Sequence, residues 1–446
     1  MADGIFALRP ANRAEHGWQT RSLRSLLVPR SERNRVDLPL LTVARERGVF
    51  VRSAEDTNHN VIPEDLSNYK VARTGDLVIN KMKAWQGSLG LAPVDGIVSP
   101  AYFVFEADFA VPRFGEYLLR SKPFVAKFGA ASDGVRIGQW DLNIPRMRNI
   151  EVKLPPAEEQ AAIVKYLAHA NARIDKAIAA KRRLIALLEE MDRAVANDLA
   201  GSIGARGENR IPWLGSIPSR WDIVPAKRLF REIDRRSATG TEGLLSLRMR
   251  EGLVDAKEFT ATPIPSESLV GYKIVLPGEL VMNRMRAAIG LFGVADRKGL
   301  VSPDYATMTV SQGLSADFYL SLFKTDVAMA EFRRRSNGLG TGSSGFMRLY
   351  YEGFGAIVLP LPPIEEQHRI VRTIKDQHAE TAPVRSRVQR EISLLQEFRT
   401  RLIADAVTGQ VDVRAIATTL PDAPDVVDLV ADSEAEPDEI AEAGDE

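Results

Sequence analysis

The feature that most restricts the fold is an internal repeat. Shifting the chain by 203 residues sets Tyr69-Lys70-Val71 on Tyr272-Lys273-Ile274, and the register holds without a gap until Tyr102 meets Tyr305. Over that block 16 of 34 positions are identical, where roughly two would match at ordinary residue frequencies. Two copies of one unit are present, so any fold assigned to the first must serve the second. The correspondence reaches outward, with Trp18 on Trp221 and Ser132-Asp133-Gly134 on Ser336-Asn337-Gly338. By Ile150 and Ile357 the shift has grown to 207, which puts extra residues in or near the Gly-rich stretch 338–345.

Each copy leads into the same helix start, Leu154-Pro155-Pro156-Ala157-Glu158-Glu159-Gln160 and Leu361-Pro362-Pro363-Ile364-Glu365-Glu366-Gln367. Pro suits the first helical turn, where its missing N–H has no partner to lose, and the Glu pair suits the positive end of the helix dipole. Ile163, Leu167, Ala170, Ile174, Ala177, Lys181, Leu184, Leu188, Met191 and Val195 then follow a 4-3 spacing, the pattern of a coiled-coil seam. The second copy reads Ile370, Ile374, Gln377, Thr381, Val384, Val388, Glu391, Leu395, Phe398 and Leu402, a weaker seam in which Pro383 should kink or interrupt the helix. Each seam covers ~50 Å at 1.5 Å per residue, longer than a small domain needs. The simplest expectation is that the two helices pair with each other.

Within the modules, Leu77-Val78-Ile79 and Ile97-Val98, with Leu280-Val281-Met282 and Leu300-Val301, are short apolar runs bounded by Gly, Pro and Asp, and they predict strands. Helical stretches follow at about 115–130 and 316–335. The fold class expected is α+β, two duplicated domains separated by two long helices that form an antiparallel coiled coil with a pseudo-twofold axis. The boundaries read as module 1–154, helix 155–200, linker 201–212, module 213–360, helix 361–410 and an acidic, disordered tail 411–446.

Charge is unevenly placed. After Arg414 there are eleven acids and no Lys or Arg, which leaves 59 basic against 48 acidic residues in the body, an excess that suits a polyanionic partner. There is no cysteine, which excludes disulfides and thiolate metal sites. The N-terminus lacks a signal-peptide pattern, and no apolar run reaches the ~20 residues of a membrane span. We expect a cytoplasmic protein.

Catalytic motifs are missing. The five histidines are scattered without metal-ligand spacing, the loop at 338–345 lacks the Gly-Lys-Ser/Thr ending of a phosphate-binding loop, and there is neither a G-x-G-x-x-G opening a helix nor a G-x-S-x-G. What the modules share is a basic pair at one place, Lys81 and Lys83 matching Arg284 and Arg286 just after a strand. Charge kept while residue type changes suits phosphate contacts, which position a protein without reading sequence; a solvated strand end is the plainer alternative. Around these pairs the copies diverge. Trp85-Gln86 stands opposite Ala288-Ile289, Pro93-Val94-Asp95 opposite Asp296-Arg297-Lys298, and the loop with Arg136, Gln139 and Trp140 opposite one with Phe346, Arg348 and Tyr350. Gln and Arg are common readers of adenine and guanine edges, and variable loops are where two like modules would read different sequences.

The repeated L-P-P-x-E-E-Q-x-x-I-V starts, the signatures Gly75-Asp76-Leu77 with Ser99-Pro100 and Gly278-Glu279-Leu280 with Ser302-Pro303, and the opening Trp213-Leu214-Gly215-Ser216-Ile217-Pro218-Ser219-Arg220-Trp221 resemble the DNA-specificity subunit of type I restriction-modification systems over residues 1 to about 414. The resemblance implies two target-recognition domains, each reading one half of a split site on double-stranded DNA, with the helices as spacer. It implies a non-catalytic subunit that binds no cofactor itself. Two methyltransferase subunits would use S-adenosylmethionine, and restriction subunits would use ATP with Mg2+. A coiled-coil scaffold whose duplicated modules bind protein is the rival reading.

Overall fold

The computed structural model describes residues 6, 9–10, 17–45, 47–53, 65–134, 140–204, 209–249, 251–258, 264–339 and 346–424. It divides into two compact units, Met1–Arg182 with Gln389–Glu446, and Arg183–Val388.

In each unit the repeat builds the same four-stranded antiparallel sheet. In the first unit the strands are β1 (Leu27–Pro29), β2 (Leu77–Asn80), β3 (Leu89–Leu91) and β4 (Tyr102–Ala107), ordered β1-β4-β2-β3. In the second they are β7 (Phe230–Ile233), β8 (Leu280–Asn283), β9 (Phe292–Val294) and β10 (Tyr305–Val310), ordered β7-β10-β8-β9. The turn before β2 and β8 explains a repeated signature. Gly75 and Gly278 take φ of 87° and 82°, open to glycine at little cost, and the next residue is a buried acid. Asp76 accepts from the Arg73 amide at 2.8 Å and from Arg30 at 2.6 Å; Glu279 accepts from the Leu276 amide at 2.8 Å and from Arg235 at 3.1 Å. The acid therefore closes the turn and ties it to the segment that follows β1 or β7. The Ser-Pro signatures are turns of the same kind, with Ser99 and Ser302 hydroxyls accepting from the amides of Ala101 and Asp304.

The helical stretch after each sheet is broken in two, where the sequence suggests one helix. α1 (Pro112–Arg120) is followed by α2 (Lys122–Ala130), and α4 (Ala316–Phe323) by α5 (Asp326–Arg335). Pro123 in the first turn of α2 and Thr325 as the cap of α5 start new helices there. A short hairpin follows in each copy: β5 (Ser132–Asp133) with β6 (Asp141–Leu142), and β11 (Asn337–Leu339) with β12 (Phe346–Arg348).

The core of the second unit is aromatic. Phe230 meets Tyr319, Phe323 and Phe354 with ring centroids 5.2, 5.7 and 5.8 Å apart, and the cluster extends onto Ile370, Val371 and Ile374. At about 1.5–3 kcal/mol for each buried large side chain, this makes the helix start part of the module's own core.

The long helices are α3 (Ala157–Gly204) and α6 (Ile364–Val407). In the first unit Asp175 pairs with Arg399 and Lys181 with Glu391, so partner numbers fall as α3 numbers rise and the contact is antiparallel. In the second unit the buried Asp192 accepts from the Thr381 hydroxyl at 2.8 Å and from Arg385 at 3.0 Å. The seams differ from the 4-3 expectation. Leu184 and Met191 are 41% and 44% exposed while Ile185 and Asp192 are buried; Val384 and Phe398 are likewise exposed. Buried positions run Leu167, Ala170, Ile174, Ile178, with two successive steps of four. A helix with 3.6 residues per turn drifts off a strict seven-residue repeat, and a step of this kind takes up the drift.

Pro383 neither ends nor interrupts α6. The carbonyl it leaves without an amide lies on a face where residues 378–380 and 383 are exposed and water can serve it. Two boundaries also move. α3 runs to Gly204 and a strand begins at Asn209, which shortens the expected 201–212 linker to 205–208, outside the described residues. The expected tail is folded at its start: Val411–Asp412 pairs with Arg9–Pro10, and Arg414–Thr419 is helical. Residues 425–446, to which the disorder expectation applies, lie outside the described residues. Among the described residues no helix is long and apolar enough to cross a membrane.

Candidate nucleic-acid interface

The basic loops are set by an asparagine at the end of a strand. The Asn80 side chain accepts from the Met82 amide at 3.1 Å, and Asn283 accepts from the Met285 amide at 3.0 Å. A 3-10 turn follows, Ala84–Gln86 or Ala287–Ile289, closed by Gly87 or Gly290 in the left-handed region. The hairpin is pinned to this loop in both copies, because the Leu142 amide donates to the Lys81 carbonyl at 3.1 Å and the Leu349 amide to the Arg284 carbonyl at 2.9 Å. The described residues Leu142 and Leu349, which follow the divergent stretches 135–139 and 340–345, are therefore held beside the basic pair in each module, while those stretches lie outside the described residues. The first holds Arg136 and Gln139, which lie outside the described residues.

The four basic residues are not equivalent. Lys81 pairs with Asp141 on the hairpin, and Arg284 is part-buried against Glu232 at 2.6 Å. Lys83 and Arg286 are exposed and make no ion pair among the described residues. Behind each loop a lysine is drawn into the module, Lys273 fully and Lys70 in part. Lys70 donates to the Tyr102 carbonyl, and Lys273 to the Tyr305 carbonyl at 2.8 Å. Burial pushes both ammonium groups below the ordinary lysine range, helped at Lys273 by Arg284 and at Lys70 by Arg33.

Of the expected readers, Trp85 donates its indole N–H to the Met82 carbonyl at 3.1 Å and packs on Trp140 with ring centroids 5.2 Å apart. That N–H is already used, and only the ring remains to touch a base. Gln86 faces a cleft of about 820 Å³ rimmed by Arg113, Arg120, Lys122 and Arg399. Arg348 approaches Asp304 at 3.9 Å and the Met285 sulfur at 4.0 Å, which keeps it beside the Arg284–Arg286 loop. Arg297 and Lys298 are elsewhere. They follow β9, whose Val294 is opposite Leu280, whereas the basic loop leaves β8 at Asn283, so the two lie at opposite ends of the hairpin, ~10 Å or more apart. Arg297 there pairs with its neighbour Asp296, and Lys298 lies 3.6 Å from Glu242.

Sequence reasoning passed over the joint between module and helix. Trp18 and Trp221 donate their indole N–H groups to Glu159 and Glu366 at 3.3 and 2.9 Å. The buried Gln160 and Gln367 each make two ties: their side-chain carbonyls accept from the amides of Val111 (3.2 Å) and Ser315 (2.9 Å), and their NH2 groups donate to the carbonyls of Pro155 (2.9 Å) and Pro362 (2.8 Å). The signal was present, since Trp and Gln recur at the repeat shifts, but a pairing between residues so far apart in the chain is not readable from spacing. Among the described residues no group of three His, Asp or Glu is placed to hold a metal ion.

Two copies of one module, each presenting an exposed basic side chain beside a hairpin of variable sequence and each tied to a long helix, make this a duplicated scaffold. No family model matches the sequence. Over 246 residues the chain is 22% identical to a protein of Methanocaldococcus jannaschii described as a putative type I restriction enzyme MjaX specificity subunit, and the match covers 54% of this chain and 55% of that protein. The chain thus spans about half the length of the curated relative it matches. A chain solved in work on complex assembly and conformational transition of the type I R-M system has the same fold, with a TM-score of 0.57 at 17% identity over 91% of this chain and 100% of that one. The HsdS subunit from Thermoanaerobacter tengcongensis gives a TM-score of 0.41 at 19% identity over 92% and 100%. In sequence the chain resembles a putative type I restriction enzyme specificity subunit, and in fold a chain solved in work on a type I R-M system.

Proposed function

We propose that this chain is the non-catalytic DNA-specificity subunit of a type I restriction-modification complex. Each module reads one half of an asymmetric, interrupted site on double-stranded DNA. The antiparallel helices set the spacing, relate the modules by a pseudo-twofold axis, and dock two methyltransferase subunits. S-adenosylmethionine belongs to those subunits, and ATP with Mg2+ to the restriction subunits; the complex works in the cytoplasm. The observation that carries the reading is the recurrence of an exposed cation, Lys83 in one copy and Arg286 in the other, beside hairpins whose sequences differ. The cations hold phosphate, and the hairpins, Arg348 among their residues and Trp85 beside them, read bases.

The test uses the chain purified with its methyltransferase partner. Lys83→Ala with Arg286→Ala should weaken binding to all duplexes alike and reduce the slope of log affinity against log salt by ~0.9 for each phosphate no longer neutralised. Mapping methylated adenines in a host with and without the gene should give a two-part site. Affinity that does not depend on salt, or no preference for any duplex, would refute the reading and favour a protein-binding scaffold.

A further inference from the structure

The cleft on the first unit is basic, and helix residues make up most of its wall, with Gln86 and Gly87 of the basic loop at its edge. Arg45, Arg113, Arg120, Lys122 and Arg399 line it, against the two acids Glu116 and Asp175. Glu116 is buried and serves both Arg113 and Arg120, and Asp175 serves Arg399. The lining therefore keeps a net positive charge after its internal pairs are made.

The chain's own C-terminal segment is led to this cleft. The Pro421 carbonyl oxygen lies 2.9 Å from His169 Nε2 and can only accept, so that ring nitrogen donates. Asp422 pairs with Lys165 at 3.1 Å, and Pro424 is itself part of the cleft wall. The next 22 residues, 425–446, hold ten acids and no Lys or Arg. We propose that residues 425–446 dock in this cleft and occupy it as an internal polyanion, which other anionic partners must displace. Three observations support this: the last described residue stands at the cleft, the segment and the lining are opposite in charge, and a tether so short holds the segment at an effective concentration of order mM. Gln86 lines the same cleft, so the docked segment would border the basic loop of the first module. Docking of this kind is separate from recognition by the hairpins, and its failure would leave the DNA reading as it stands.

The chain has no cysteine, which allows a clean trap. Lys122→Cys and Ser433→Cys are introduced into the full chain; Ser433 is nine residues past Pro424 and within ~30 Å of it. Under a copper–phenanthroline oxidant, the disulfide should form at least ~10-fold faster at about 0.05 M salt than at about 1 M, where the screening length falls to ~3 Å. The same pair in a chain with the ten acids changed to Asn or Gln should react as slowly at both salts. Equal rates in the acidic and neutralised chains would overturn the proposal. Should the cysteine variant fold poorly, hydrogen exchange in α1 and α2 reads the same docking: slower in the wild type than in the neutralised chain if the segment docks, and equal if it does not.

Discussion

Replacing Gln367 with Ala tests whether the helix joint is what fixes a module to its helix. The side chain is fully buried and bridges two backbone groups, the Ser315 amide at 2.9 Å and the Pro362 carbonyl at 2.8 Å. Truncation leaves a donor and an acceptor without their side-chain partner, at ~1–3 kcal/mol each. We expect a loss of about 3 kcal/mol in stability. With a urea m-value of ~2–3 kcal/mol/M, the unfolding midpoint of the second unit, followed through the buried Trp221, should fall by ~1–1.5 M. Gln367→Glu separates the two ties, because a carboxylate still accepts from Ser315 but cannot donate to Pro362. The Ser315 amide should then stay protected from hydrogen exchange in Gln367→Glu and lose protection in Gln367→Ala. A destabilisation under ~0.5 kcal/mol with Ser315 exchange unchanged would refute the reasoning, since the aromatic core alone would then set the joint.

Asp192→Ala should cost ~2 kcal/mol in thermal or urea unfolding, because it strips Thr381 and the part-exposed Arg385 of their shared acceptor; no destabilisation would show that apolar neighbours alone hold α3 to α6 in that unit. Asp95 is held down to about 2 by the Thr74 amide, then by Arg73 and the Thr74 hydroxyl. A depressed carboxyl contributes stability above its unfolded value of ~3.9 and loses it as pH falls toward the folded one, so Asp95→Asn should remove part of the acid sensitivity between these values. A carbon-13 titration that puts Asp95 near the ordinary carboxylate value would refute this.

Much of the fold was legible because the repeat checks each assignment twice. The strands at Leu77 and Leu280 and the Pro-Pro helix starts follow from turn and capping chemistry, which acts over a few residues. The seam beyond Ile174 was not legible, because a strict seven-residue count cannot show where a straight helix slips, and Ile185 rather than Leu184 faces inward. The cleft was not legible either. Arg113, Arg120 and Lys122 look like ordinary solvated helix residues until α6 brings Arg399 beside them.

The divergence between copies also has two kinds, which the sequence alone could not separate. Where Asp95 became Lys298, Arg73 became Leu276, so both members of an ion pair were replaced together. The change at that end of the hairpin exchanges one internal ion pair, Arg73 with Asp95, for another, Lys298 with Glu242. At the other end the reverse holds. Lys81 and Arg284 keep their charge although the acid that serves them has moved from the hairpin residue Asp141 to the strand residue Glu232. Beside them Lys83 and Arg286 keep theirs with no acid at all among the described residues. On the proposed reading, a charge kept in both copies while its internal partner changes is what phosphate contacts require, and the salt dependence of the Lys83→Ala, Arg286→Ala variant tests it.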